Sequence, residues 1–311
     1  MDAALLKRFR ADLAGLIGPE SQRIGIALSG GPDSLALLLL AHRTLGDAVA
    51  AATVDHRLRP ESADEAKHVA AISAELGVPH AILSPPEPIT GNLQAGARAA
   101  RYALLEEWRE SEGLDWVATA HHADDQLETM VMRLLRGSGV EGLAAVRAIN
   151  RRGIRPLLGF RKRALEAIVA DSPFTAIDDP SNREERFDRV RLRRILEDLP
   201  DLDPAGLARS ATALSEAAAA LEWATVRAAR RAVRDEGDCL CLDPAGLPAE
   251  IRRRLVRDCL GRVAPGTAPS GPALEKAIAG LEAGEKRSLG GVVCEGGSEW
   301  RFSPAPPRRT G

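Results

Sequence analysis

Aromatic side chains are scarce in this chain, at 3% of 311 residues, and its four cysteines all fall in the last quarter, at positions 239, 241, 259 and 294. The first scarcity leaves alanine and leucine to fill the cores, within a 45% hydrophobic content that supports them. The second, with no Cys-x-x-Cys pair, argues against a disulfide framework and against a zinc site, so free buried thiols are expected. No apolar run reaches the length of a membrane span; residues 35–41 are far too few. Residues 1–20 read as an amphipathic helix carrying Asp2 and Asp12, without the apolar core of a cleavable leader. A cytoplasmic protein with no membrane partner is therefore expected. A strong net charge is missing as well, the balance being −2.

That balance conceals an uneven distribution. Residues 1–142 carry about 13 basic and about 20 acidic side chains, and residues 143–195 about 13 basic against about 7 acidic. A basic middle joined to an acidic first lobe points to a localised polyanion contact, or to a solvated arginine-rich face. At 311 residues the chain has room for two domains.

The most informative stretch lies near the start. Residues 24–28, Ile-Gly-Ile-Ala-Leu, read as a short buried strand. The run breaks at Ser29-Gly30-Gly31-Pro32-Asp33-Ser34 and resumes from 35 to 41 as an almost wholly apolar helix that stops at Gly46. A strand, a glycine turn and a helix start together direct backbone N–H groups at one point, at the positive end of a helix dipole. That arrangement suits a phosphate. Gly30 and Gly31 allow unusual dihedrals and close approach by a ligand. Ser29 and Ser34 add hydroxyls, and Asp33 can cap the helix or help hold magnesium beside phosphates. The plain alternative is a capped helix after a tight turn. The string is neither a Walker loop nor a Gly-x-Gly-x-x-Gly pattern.

Further along, residues 48–54 form a second buried strand ending at Asp55-His56-Arg57. Ser62-Ala-Asp-Glu65 has the form of a capping box and opens a helix to Gly77. Residues 78–83 are a third strand, residues 92–112 a helix, and residues 116–120 a fourth strand. That strand opens into His121-His122-Ala123-Asp124-Asp125-Gln126-Leu127-Glu128. Alternating strands and helices predict a parallel, doubly wound, Rossmann-like sheet. The polar clusters at 29, 55 and 121 then share one sheet edge, where ligands bind in open α/β folds. The His-His-x-Asp-Asp-x-x-Glu run is open to three readings: a metal site, helix capping by Asp124, or a carboxylate pair. In the last, Asp125 and Glu128 share a helix face and hold an ammonium group or magnesium.

Taken in order, these motifs resemble the tRNA(Ile)-lysidine synthetases of the PP-loop, N-type ATP pyrophosphatase superfamily. The resemblance runs through Ser29–Ser34, Val54-Asp-His-x-Leu-Arg59, Asn92-x-x-x-x-Ala-Arg-x-x-Arg-Tyr102, residues 119–129 and Arg133-Leu-Leu-Arg-Gly-Ser-Gly139. It continues through Arg155-Pro-Leu-Leu158, Asp179-Pro-Ser-Asn182 and Arg189-Val-Arg-Leu-Arg193. It is close over residues 20–195 and weaker beyond. Gln94 departs from it, standing where the family usually has glutamate.

The resemblance implies an enzyme that uses ATP and Mg2+ to join L-lysine to the first anticodon base, a cytidine, of tRNA(Ile) with a CAU anticodon. It implies ATP contacts at Ser29, Gly30, Gly31, Pro32, Asp33, Ser34, Asp55 and His56, with Asp33 the metal ligand. It implies catalytic roles for Asp33, His121, Asp125 and Glu128, with lysine held by Asp125 and Glu128. Which group takes the amine proton, His121 or a carboxylate, stays open. Arg98, Arg101, Arg133, Arg136, Arg155, Arg189, Arg191 and Arg193 are candidates for RNA. A homodimer is compatible with the chain. Two other readings stand beside this one: a PP-loop tRNA thiolase, which often needs paired cysteines absent from the first lobe, and a nucleotide-binding regulator without chemistry.

The expected architecture is thus a PP-loop ATPase-type α/β domain over residues 1–199 and a smaller, mainly helical, tRNA-recognising domain over residues 200–311. In the second, a long alanine-rich helix spans 205–236 and stops at Gly237. Residues 240–242 form a strand, residues 248–263 and 272–282 helices, and residues 292–302 a hairpin.

Overall fold

A computed structural model describes residues 2–18, 22–57, 61–91, 93–144, 147–177, 192 and 204–306. These divide into two units, residues 1–135 with 143–212 and residues 136–142 with 213–311. The expected domain boundary at 199/200 lies outside the described residues.

The first unit opens with α1 (Ala3–Ile17), capped by the Asp2 carboxylate, which accepts from the Ala4 N–H at 3.0 Å. Then follow β1 (Ile24–Ala27), α2 (Pro32–Leu45), β2 (Val49–Val54), α3 (Ser62–Glu75), β3 (His80–Leu83), α4 (Leu93–Ser111), β4 (Trp116–Ala118) and α5 (Ala123–Leu135). The strands β5 (Ile149–Asn150) and β6 (Gly153–Ile154) and α7 (Lys162–Ala170) complete this unit's described elements before α8 (Pro204–Ala232); the short α6 (Val140–Leu143) lies almost wholly in the second unit. The sheet order is β3-β2-β1-β4-β6-β5, and every neighbouring pair is parallel except β5 with β6. The chain winds outward from β1 to β3, then returns to place β4 on the other side of β1. The crevice between the carboxyl ends of β1 and β4 is therefore a topological switch point, where open α/β sheets take their ligands.

Burial explains the composition of these strands. Helix α2 is buried without interruption from Ser34 to Ala41, packed between β1 and the helices α1 and α7. A helix covered on all sides has no use for a polar face, hence the leucine run. On the opposite face of the sheet, Trp108 of α4 lies over Gly25, Ala50 and Ala52. A Cβ at Gly25 would come within 2.5 Å of the Trp108 ring. The small residues of β1 and β2 thus make the space that one large ring fills.

The helix that the sequence predicts from Ser62 begins there, but the capping box does not organise it. Glu61 occupies the cap position, and the Ser62 hydroxyl donates at 2.7 Å to Asp55, which the sheet has brought alongside.

In the second unit, β7 (Val233–Asp235), β8 (Leu240–Leu242), α9 (Ala249–Val263), α10 (Gly271–Glu282), β9 (Lys286–Leu289), β10 (Val292–Glu295) and β11 (Trp300–Pro304) follow α8. The expected helices and the 292–302 hairpin are present. The strands form a five-stranded antiparallel sheet, β7-β8-β11-β10-β9, that covers Trp300, Phe302, Leu255, Val256 and Leu274. The long helix ends at Ala232, not Glu236, because residues 233–235 pair with β8; Gly237, at φ +83°, is a hairpin turn residue instead of a helix stop. Arg254, 6% exposed, donates to Glu141 at 2.9 Å and Glu250 at 3.0 Å and knots residues 136–142 into this unit.

No described helix is long and apolar enough to cross a membrane.

Candidate active site

The glycine turn between β1 and α2 is held by its last serine. Ser34, 4% exposed, donates its one hydroxyl proton to the Gly31 carbonyl at 3.0 Å. It accepts from the Ser29 N–H at 3.2 Å and the Ser29 hydroxyl at 3.1 Å. Its bonding capacity is filled, so Ser34 shapes the loop.

The two glycines differ in why they are glycine. Gly30 has φ +87°, and a Cβ there would collide with Ile177 and approach Val69 to 2.8 Å; its carbonyl also accepts from the Ile177 N–H at 2.9 Å. Gly31 has an ordinary φ of −68°, and the nearest atom to its missing Cβ is Ser29 Oγ at 3.9 Å. Neither backbone nor packing requires glycine at 31, which leaves close approach of a ligand. Gly30→Ala is expected to cost about 2–4 kcal/mol of stability, from overpacking and a strained φ. Gly31→Ala is expected to change stability by less than about 1 kcal/mol while weakening ATP binding. Urea unfolding and calorimetric titration with ATP separate the two, and equal stability losses would refute the distinction.

Across the switch point stands His122, 2% exposed, at the start of α5. Its Nε2 lies 3.5 Å from Asp33 Oδ2 and 3.5 Å from Asp125 Oδ2, and its Nδ1 lies 3.6 Å from Asp124 Oδ2. Asp125 also accepts from the His122 N–H at 3.1 Å, a carboxylate closing the helix start from the third position. Asp124 is committed elsewhere. It accepts from Arg161 Nε at 2.9 Å and from the Lys162 N–H at 2.7 Å, which caps α7. Burial by itself lowers the His122 pKa. The hydrogen bond to Asp33 and the charges of Asp125, Asp33 and Asp124 outweigh it, and the net shift is upward from 6.5.

A proton held more tightly in the folded chain stabilises it fully below the unfolded pKa, and that stability is lost as pH rises through the folded one. In magnesium-free protein without nucleotide, the gap in urea midpoint between wild type and His122→Gln is therefore expected to shrink as pH climbs from 6.5. A gap independent of pH would contradict the raised pKa.

The other predicted residues are placed as follows. Asp55, at the end of β2, accepts from the Arg57 N–H at 2.8 Å as well as from Ser62, and so orders its own loop. Both ring nitrogens of His56 are buried without a hydrogen-bond partner among the described residues. Burial, then the Arg101 charge, lower the His56 pKa against the pull of Asp55. His121 is half-buried, with Nδ1 3.0 Å from Thr119 Oγ1. Glu128 is 2% exposed and has a partner within the fold. Arg98 and Arg101 are exposed, and the Arg98 guanidinium lies 5.1 Å from the Tyr102 ring centre.

Arg155 is 8% exposed and donates to the Arg147 carbonyl; it braces the 147–155 loop and does not present its charge to solvent. Arg136, also exposed, falls in the second unit. Arg189, Arg191 and Arg193 lie outside the described residues. The sequence singles out His121 and passes over His122; the signal for the second is its place one residue before an Ala-Asp-Asp helix start.

Residues 4–199 match the family model described as a PP-loop domain. Over 98% of its length the chain is 44% identical to the tRNA(Ile)-lysidine synthase of Zymomonas mobilis subsp. mobilis, covering 95% of that protein. To the tRNA(Ile)-lysidine synthase of Novosphingobium aromaticivorans it is 42% identical over 97% of its length, covering 94% of the relative. Among solved structures it is similar to the U34-tRNA thiolase NcsA from Methanococcus maripaludis, with a TM-score of 0.55 and 17% identity over 68% of this chain and 78% of that one. That likeness is one of fold. With identity of this order sustained from end to end, and the glycine turn, Asp33 and the His-His-x-Asp-Asp run gathered at one switch point, the chain belongs to the tRNA(Ile)-lysidine synthase family of PP-loop proteins.

Proposed function

We infer that this chain is the ligase that joins lysine to C2 of the wobble cytidine in tRNA(Ile) with a CAU anticodon, converting ATP to AMP and diphosphate. The observation that carries the reading is 44% identity to a tRNA(Ile)-lysidine synthase over 98% of the chain. In the first step the cytosine carbonyl oxygen attacks the ATP α-phosphate and diphosphate leaves. In the second the lysine side-chain amine attacks C2 and AMP leaves.

The chain's own groups divide between these steps. The backbone N–H groups of Gly30, Gly31, Asp33 and Ser34 cradle the departing diphosphate, with Gly31 admitting it closely. Asp33 Oδ1 is buried and has no hydrogen-bond partner among the described residues. An orphaned carboxylate oxygen beside a phosphate cradle suits Mg2+; Asp33 would hold the ion, which supplies neutralising charge to the phosphates when bound. His122 keeps Asp33 aimed at the loop.

For the second step, Asp125 together with Glu128 holds the lysine ammonium. His121, steadied by Thr119, takes the proton that the amine must lose. The cytidine has to leave its stack to reach this pocket, so contacts fall on loop phosphates and splayed bases. Exposed Arg98 and Arg101, beside Tyr102, suit such a single-stranded segment. We propose RNA contact for Arg136, Arg189, Arg191 and Arg193 as well, recognition of the tRNA body by residues 200–311, and the reaction in the cytoplasm.

The decisive experiment follows diphosphate release and radiolabelled lysine. Release is expected to require both the CAU-anticodon tRNA and magnesium, and label is expected to enter the RNA; a tRNA that acquires sulfur and no lysine would favour the thiolase reading. Replacing Arg98 or Arg101 with alanine is expected to flatten the slope of log affinity against log salt by about 0.7 for each phosphate that the guanidinium neutralises. An unchanged slope would remove that arginine from the RNA surface.

A further inference from the structure

The turn that joins β7 to β8 gathers three side chains that the ligase reaction does not use. Glu236, Cys239 and Cys241 each bring one ligand atom within 4.8 Å of the other two. Cys239 Sγ lies 3.8 Å from Cys241 Sγ and 3.9 Å from Glu236 Oε2. We propose that Glu236, Cys239 and Cys241 form a site for a thiophilic divalent cation of the zinc class, separate from the ATP site.

The spacing fits such an ion. Sulfur at about 2.3 Å and oxygen at about 2.1 Å from a tetrahedral zinc stand about 3.8 Å (S to S) and about 3.6 Å (S to O) apart. The hairpin holds its sulfurs at that separation already, and Glu236 Oε2 lies within a few tenths of an ångström of the required distance from Cys239. A longer Cys-x-x-Cys spacing is not needed here. The tight turn, with the Glu236 N–H on the Cys239 carbonyl at 2.9 Å and Gly237 at positive φ, folds 236 back over 239, and 239 and 241 point the same way along the strand.

Charge supports the assignment. Arg301 stands opposite Cys241 in the β8–β11 register and donates to Glu236 Oε2 at 2.8 Å. Two thiolates and a carboxylate carry three negative charges, the guanidinium offsets one, and a divalent ion neutralises the other two. Thiols bind such an ion as thiolates, so binding releases protons and affinity rises with pH. Glu236 is exposed and leaves an entry path, with a fourth coordination position open to water. The other two cysteines make a contrast: Cys259 and Cys294 are wholly buried, pushed up to about 12 and about 11, and belong to no such group among the described residues. The ion would clip the turn of the β7–β8 hairpin at the edge of the sheet.

The test uses the full chain, reduced with a phosphine and stripped by a chelator. Titration with cobalt(II), followed by zinc competition against a chromophoric chelator, is expected to show one equivalent bound, with a thiolate-to-cobalt charge-transfer band and a zinc-dependent rise in melting temperature. Cys239→Ser, at a half-buried position that tolerates the change, is expected to lose the band and the thermal shift. Glu236→Gln is expected to weaken binding at least about 10-fold, whereas Cys259→Ala, Cys294→Ala and Asp33→Asn keep the equivalent. No tight equivalent in wild type, unchanged uptake in Cys239→Ser, or a Cys239–Cys241 disulfide that forms while zinc is ignored would each overturn the site.

Discussion

Asp33→Ala is expected to abolish diphosphate release, lowering kcat by at least about 10²–10³-fold, the size seen when one fixed electrostatic contact to developing charge is removed. The cause is local. Asp33 offers one oxygen to His122 at 3.5 Å and leaves the other buried and unpaired among the described residues, beside the loop that grips phosphate. Asp33→Asn keeps the shape and the contact to His122 but removes the charge, and is expected to lose activity nearly as completely. Both variants are expected to stay folded, because the loop is held by Ser34 and Gly30, with a modest loss of melting temperature from the weakened His122 contact. Single-turnover release of diphosphate at saturating tRNA checks this; an Asp33→Asn enzyme with wild-type kcat would show that the carboxylate charge has no part in the first step.

Asp125→Asn is expected to act on the second step. Its remaining carbonyl oxygen still accepts from the His122 N–H, which preserves the helix start. The charge that meets the lysine ammonium is gone, and a hydrogen bond to a charged group is worth about 1.5–3 kcal/mol. Lysine transfer is therefore expected to fall about 10- to 150-fold, mainly through KM for lysine, while adenylated tRNA accumulates. Loss of adenylation ahead of lysine transfer would reverse the roles given to Asp33 and Asp125.

How much of this could be read from the chain differs from element to element. Strands β1 to β4 and the helices between them are visible because each is buried on a face of constant period, or on all sides, so local composition reports tertiary position. The glycine turn is visible because phosphate binding constrains consecutive backbone atoms. Three features are hidden for one reason: each depends on a partner that a turn or loop folds back onto the residue, which the residue's own adjacent sequence does not report. Helix α8 looks continuous to Gly237 until β8 offers residues 233–235 a partner. Arg155 looks like a free cation until the Arg147 carbonyl takes it inside. Ser62 looks like a cap until Asp55 arrives from the neighbouring strand.

The order of motifs in one chain determined by itself the α/β class, the phosphate loop and the family, since each is written in short strings whose chemistry requires adjacency. Only the folded structure decided that His122 and not His121 stands among the carboxylates, that Gly30 answers to Ile177 while packing leaves room at Gly31, and that a glutamate and two cysteines face one another across a hairpin. Those outcomes depend on which side of a strand or helix start a residue occupies and on what the opposite element carries, and neither is encoded at the residue itself.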